Sequence, residues 1–357
     1  MTEFKVYYNR SDASARIITS FHLLEKEGLI KLRLIENTDN FRKMPGQEVT
    51  EAEAEGKTLA FDMGDRWVLS HPENLAYLDR LDAYFARDYS VRKDIVTPYL
   101  FPDHPKVFPY GFNYFSSYYG NPTTMPRAAQ SVLKYHASYL SGYSRCLSPR
   151  YIEQTPDYKT ESIRILFMAR LWDSSGLRQD PKLSKEENLY RAYLVEEWNS
   201  INQTRIQIMR ALKKEFGEAF TGGMFHDALS QQLCPDLVLP VSEVRKKAYL
   251  DRMKQSDICI GTMGLHKSIG WKMGEYIAAS RAIVSEPLMY VVPGDYSSGQ
   301  HYLPFNSVSG CCEQAAVLFS NPDKLYHMKQ ANHRYYLDYL EPKQQLRNAL
   351  SLAGIVI

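Results

Sequence analysis

The chain has 357 residues, 44% hydrophobic and 24% charged. At about 150 residues per domain this length makes two globular domains, each large enough to bury a core without disulfide or metal staples. Lys plus Arg number 43 and Asp plus Glu 41, a net charge of +2, too balanced for a chain whose main partner is nucleic acid.

The opening residues Met1 to Val6 lack the basic-then-apolar pattern of a signal peptide. No stretch approaches the roughly 18 apolar residues of a membrane span. The five cysteines (Cys146, Cys234, Cys259, Cys311 and Cys312) are odd in number and show no Cys-x-x-Cys spacing, so neither a zinc knuckle nor a redox pair is predicted. The expectation is a cytoplasmic protein with reduced thiols.

Phe4–Tyr8 alternates and is rich in β-formers, which predicts a first strand. A polar loop follows, then Ile17, Ile18, Phe21 and Leu24 recur at helical spacing up to Gly28. Ile30–Ile35, Thr58–Asp62 and Ala83–Arg87 read as further strands, and Leu75–Asp82 as helix. This β-loop-α-β order is the unit of a parallel sheet. An aromatic stretch runs from Phe101 to Tyr119, and Ser141–Thr160 reads as a linker rich in Ser, Tyr, Pro and Arg. The pattern then restarts. Ile163–Met168 is a strand ended by Arg170, residues 173–188 a polar loop, and a long helix carries Trp198, Ile201, Ile208, Leu212 and Phe216 on its apolar face. Val244–Met253 and Ser268–Ser280 are helices, each preceding a strand, Asp257–Thr262 and Ala282–Ser285. Asn321-Pro322 caps and opens a helix to about Tyr339, and Pro342 starts the last one.

The predicted class is therefore α/β, with two Rossmann-like parallel sheets facing a cleft. The division is residues 1–155, 156–340, and a terminal helix 341–357 that could pack back on the first domain. Open sheets bind ligands beyond the carboxyl ends of their strands.

The segment Gly261 to Ser280 joins a buried strand to a helix through a loop containing Gly264. Ser268 reads as the N-cap, with Ser268, Lys272 and Glu275 on one helical face. Free N–H groups at a helix start favour an anion, and His266, Lys267 and Lys272 add donors and positive charge at the same place. Glu275 lies roughly 10 Å along the axis, but its side chain leans back toward the start. A carboxylate there accepts two hydrogen bonds from vicinal hydroxyls. Diphosphate at the helix end and ribose on Glu275 is the layout of a nucleotide-diphosphate sugar. The competing account is a solvated helix face with Glu275 paired to Lys272.

Gly274-Glu275-Tyr276-Ile277-Ala278-Ala279-Ser280-Arg281-Ala282-Ile283-Val284-Ser285 resembles the signature of GT-B glycosyltransferases. Ile165–Leu171 resembles the opening strand of their donor domain, and Asn321-Pro322-Asp323 with Asn332, His333 and Tyr336 its closing helix. The resemblance spans roughly residues 160–340, and nearer relatives are bacterial cell-surface polysaccharide transferases of the spore-maturation and exostosin-like group. It implies ribose binding by Glu275, and diphosphate contact by Arg170 and Lys267. Many retaining members carry a second glutamate eight residues before the first; here that position is Lys267.

The chain contains no Asp-x-Asp, P-loop, Gly-x-Gly-x-x-Gly or Gly-x-Ser-x-Gly, which disfavours metal-dependent sugar transferases, kinases, nicotinamide enzymes and serine hydrolases. Metal independence is expected, with no cofactor. Asp12, after the first strand, and Asp62 and Asp65, at the end of another, are candidate general bases for an acceptor hydroxyl. Alternatively, Asp12 caps a helix and Asp65 pairs with Arg66. Arg10 and Arg16 are candidates to meet an anionic acceptor, and Arg205 reads as a surface salt-bridge former. The cluster Tyr110, Phe112, Tyr114, Phe115, Tyr118 and Tyr119 suits sugar faces, or packs on its own domain. The expected reaction moves a sugar from a nucleotide donor to a glycan or lipid-linked glycan, the latter allowing peripheral contact with the inner membrane face. A non-catalytic two-lobed binding protein and a sugar-nucleotide epimerase are the alternatives.

Overall fold

The computed structural model describes residues 1–65, 72–90, 104–140, 144–177 and 179–357. The beginning of the aromatic stretch at Phe101, the proposed partner Arg66 and residues 141–143 of the linker lie outside the described residues.

Two sheets form. The first has the order β2-β1-β3-β4-β5-β6, built from β1 (Thr2–Tyr8), β2 (Ile30–Glu36), β3 (Val49–Ala54), β4 (Lys57–Asp62), β5 (Ala83–Ala86) and β6 (Val107–Pro109). The second, β11-β10-β9-β7-β8, contains β7 (Ile165–Ala169), β8 (Phe220–Met224), β9 (Ile258–Gly261), β10 (Ala282–Ser285) and β11 (Leu303–Pro304). All pairings in the second sheet are parallel. In the first, β3 runs antiparallel to both β1 and β4, so that sheet is mixed. A hairpin explains this: Glu55 and Gly56 both have positive φ, 52° and 75°, which suits a tight two-residue turn between β3 and β4. Apart from that strand, the α/β architecture of two facing sheets is the one the sequence predicts.

Apolar side chains cover both faces of each sheet. The helix Asp12–Lys26 (α1) packs Ile17, Ile18, Phe21 and Leu24 against Phe4, Val6 and Phe61 of the first sheet. Leu346, Ala349 and Leu350 of the last helix, Pro342–Leu352, lie in the same cluster. The chain therefore ends on the sheet with which it began. Between the sheets, Phe112 and Tyr114 share a core with Met273, Tyr276, Tyr335 and Tyr336.

Local departures from the sequence reading are few. Leu75–Asp82 is not one helix: a turn of α-helix at Pro72–Leu75 passes into 3-10 helix at Ala76–Arg80. The linker holds helical turns at Ser144–Leu147 and Pro149–Ile152, with Cys146 and Ile152 buried. Asn321 caps its helix as expected, accepting from the Lys324 N–H, and among the described residues no helix is long and apolar enough to cross a membrane.

Candidate active site

A cavity of about 480 Å³ lies where the two sheets meet. Residues 167–170 at the end of β7 and 260–262 at the end of β9 form one wall, while Asp65 and Arg87, just beyond β4 and β5, reach in from the first sheet. This is the carboxyl-end placement that open α/β sheets use for ligands. Arg170, Gly264, Ser268, Lys272 and Glu275 all line it.

The helix that carries Lys272 and Glu275 starts later than its sequence suggests. It spans Trp271–Ala278, and its N-cap is Gly270, with no capping side chain. Ser268 is not the cap; it ends a preceding 3-10 turn, Leu265–Lys267, in extended backbone conformation. The Ser268 carbonyl accepts the Gly264 N–H at 2.9 Å, and a Cβ on Gly264 would fall 2.6 Å from Ser268 Oγ. Ser268 and Gly264 thus fix the loop, and the first N–H groups of the helix have no side-chain acceptor.

Glu275 is 2% exposed and ion-paired to Lys246, not to Lys272. One carboxylate oxygen takes Lys246; the other, Oε2, is buried and has no donor within hydrogen-bond distance. An unsatisfied buried carboxylate oxygen is costly and is the kind of acceptor a hydroxyl-bearing ligand completes. Burial first, and then the Glu275 charge, push the nearby Tyr249 phenol well above its ordinary range.

The cations around it are crowded. Lys272 donates to the Met168 carbonyl, and its ammonium is pushed down to about 7, first by loss of water, then by the charges of Arg205, Lys246 and Arg170. Arg170 lies 4.7 Å over the Phe225 ring. Arg205, read from sequence as a surface residue, is buried. It donates to Thr262 Oγ1 at 3.1 Å and to the carbonyls of Arg170 and Met263 at 2.7 and 3.0 Å. It thereby ties the end of β7 to the loop after β9, and burial pulls its guanidinium down to about 10. Arg205, Lys246 and Arg87 were not recognisable locally, because each joins the cavity through partners far away in sequence.

His266 and Lys267 do not join this group. Both have φ of 56°, a left-handed conformation uncommon for such residues, which turns the loop outward. The His266 N–H donates to Glu197 at 2.9 Å, its carbonyl accepts the Tyr290 hydroxyl at 2.7 Å, and its ring lies parallel to Tyr190. Lys267 instead lines a neighbouring cavity of about 540 Å³ that shares only Thr262 and Gly264 with the first.

The candidate bases also separate, and Asp62 is buried where it accepts the Tyr84 hydroxyl at 2.6 Å. Asp65 is 47% exposed, in the cavity, and paired with Arg87 at 2.5 Å. Behind it, burial pushes the carboxyls of Asp62 and Asp88 up to about 6 and about 7. Asp12 lies at the exposed start of α1 and lines a different groove; the cap there is Ser11. Arg16 is likewise no surface contact, being fully buried and bonded to Ser116, the Leu340 carbonyl and Gln345. Arg10 donates to the Met125 carbonyl.

Neither a family model nor a curated relative matches the chain. Among solved structures, it is similar to a glycosyltransferase from Rickettsia africae ESF-5, at 11% identity and a TM-score of 0.45, over 96% of this chain and 80% of that one. WaaG, a glycosyltransferase involved in lipopolysaccharide biosynthesis, gives 9% identity and 0.36 over 98% and 97%. MnaA of S. aureus, solved with UDP, gives 12% and 0.34 over 95% and 96%. These likenesses are distant; the residues of the cavity carry the functional reading.

Proposed function

We propose that the chain is a glycosyltransferase that takes a sugar from a nucleotide-diphosphate donor and attaches it to a hydroxyl of a glycan. The observation behind this reading is the buried Oε2 of Glu275, an acceptor with no donor within reach, in a cavity that also holds Arg170, Lys246 and Lys272. In it, Glu275 receives the ribose hydroxyls. Arg170, Lys272 and the uncapped N–H groups at Trp271 and Lys272 receive the diphosphate. As the bond to the anomeric carbon breaks, negative charge grows on the departing diphosphate, and these preorganised donors stabilise it. Asp65 is the base that takes the acceptor proton from the opposite side, its own orientation held by Arg87. Lys267 and His266 take no part at the diphosphate, and Asp12 takes none in proton transfer.

The proposal includes metal independence: Arg170 and Lys272, which line the cavity, supply positive charge of the kind a divalent ion would otherwise bring to the diphosphate. Calorimetry with UDP, GDP, ADP, TDP and CMP tests it. One nucleoside diphosphate should bind with EDTA present, and Glu275→Ala should weaken it at least tenfold. Binding that survives the substitution unchanged would remove Glu275, and the reading with it. Nucleotide released only when a donor sugar and a glycan are both supplied separates transfer from simple binding and from epimerisation.

A further inference from the structure

A third, larger cavity of about 1070 Å³ runs along the flank of α1, from Asp12 past Thr19 and His22 to Lys26. Its opposite side is the segment 115–124, the helix Ala129–Leu140 and residues 145–153. The aromatic residues of the sequence divide here. Tyr110, Phe112 and Tyr114 are buried in the core, whereas Phe115, Tyr118 and Tyr119 line this groove.

The groove is paved with rings. His22 and Tyr118 stack at 3.7 Å and 8°. Tyr119 lies parallel to Tyr135 and within 4.3 Å of Tyr139. The helix bearing Tyr135 and Tyr139 buries none of its residues. It is tied down by the Tyr135 hydroxyl, which accepts the Gly120 N–H, and by His136 at the Tyr119 hydroxyl. Such a helix contributes little core; it contributes flat, half-exposed rings. Charge along the groove is balanced: Lys343 pairs with Glu27 at 2.6 Å, the Tyr336 hydroxyl donates to Glu153, and Asp12 faces the same space as Arg145 and Arg150. A polyanion would meet as many carboxylates as cations. Flat rings with polar tips, hydroxyls and balanced charge instead match the apolar faces and hydroxyl edges of pyranose rings.

One contact joins this groove to the first cavity. Phe115 lines the groove, Trp271 lines the cavity, and the two rings stack at 6.2 Å and 11°. The geometry points to a binding site for a neutral oligosaccharide along α1, holding the chain whose end passes over the Phe115–Trp271 pair toward Asp65. This assignment rests on the glycosyl-transfer reading for its purpose, but its binding is measured separately.

Saturation-transfer NMR and calorimetry with hexasaccharides of glucose, mannose, galactose and N-acetylglucosamine test it, with a heparin hexasaccharide as the charged control. At least one neutral hexasaccharide should bind the intact chain without nucleotide. Tyr119→Ala and Tyr139→Leu, the latter keeping a good helix former, should each weaken it at least fivefold and leave nucleoside diphosphate affinity unaltered. No binding by any neutral member, undiminished binding in both folded variants, or preference for heparin would each overturn the assignment. If the nucleotide fails to bind while the hexasaccharide does, the transfer reading falls and this site stands; the reverse result removes this site alone.

Discussion

Lys272 sits half-buried among Arg205, Lys246 and Arg170, and loss of water followed by those charges pulls its ammonium down to about 7. The cavity of the free protein therefore carries a lysine that loses its proton around neutral pH. A bound diphosphate favours the charged form, so binding above pH 7 must draw a proton from solution, whereas below pH 7 the proton is already in place. Affinity for the nucleoside diphosphate should be greatest below pH 7 and fall between pH 7 and 9. Calorimetry in two buffers of different ionisation enthalpy should show proton uptake at pH 8, which Lys272→Met abolishes. The same shift works against folding at lower pH: because the folded state holds the proton less tightly than the unfolded one, the contribution of Lys272 to stability rises as pH climbs from 7 toward 10.5. Lys272 and Glu275 could be read from sequence because strand, loop and helix place them within a few residues of each other. Their true partners could not. Lys246 and Arg205 arrive from separate helices, and no local pattern distinguishes them from solvated residues.

At the scale of elements, strands with local β-propensity were legible: β1, β2, β4, β5, β7, β9 and β10. The unread ones hide their reasons at long range. β3 carries Glu51, which would ordinarily argue against a buried strand, yet it is 0% exposed because Arg42, Arg80 and the Tyr77 hydroxyl all meet it. β8 contains Gly222-Gly223, which weakens a strand, but a Cβ at Gly222 would lie 1.9 Å from the Phe167 carbonyl oxygen. Only glycine lets β8 lie against β7. The helix Trp271–Ala278 makes a similar demand at Gly274, whose added Cβ would fall 2.5 Å from the Asn113 carbonyl oxygen. Helix and loop must shift apart to admit it. Gly274→Ala should therefore cost about 1–3 kcal/mol, despite alanine's better helix propensity, seen as a lower midpoint in urea with weakened nucleotide binding. A stabilised variant would show that this contact does not govern the packing.

Over the whole molecule, the final helix decides how the parts are joined. Leu346, Ala349, Leu350 and Ile355 belong to the core of the first sheet, and Lys57 reaches the Ala353 carbonyl at 2.7 Å. Deleting residues 341–357 strips those side chains from that core and leaves buried Arg16 without its Gln345 acceptor. A chain ending at Leu340 should melt several degrees lower and lose cooperativity, followed by calorimetric scanning. Melting as a single transition at the original temperature would mean that the first sheet is stable without it. The terminal proline and the apolar spacing of this helix are visible in the sequence, but the destination of its apolar face depends on a sheet that ends at Pro109, far back along the chain.

Because the polypeptide enters the second sheet through residues 110–165 and leaves it again through 336–342, two covalent spans cross the same gap. Arg16, Tyr114, Tyr336 and Glu153 are knotted together there by hydrogen bonds and a cation stacked 4.1 Å over a ring. A single tether would let the halves swivel in any sense. Paired tethers pinned at one spot oppose sliding and twisting of one sheet past the other, and beside the cavity Arg87, donating to the Ile269 carbonyl at 2.5 Å, adds a further strut between them.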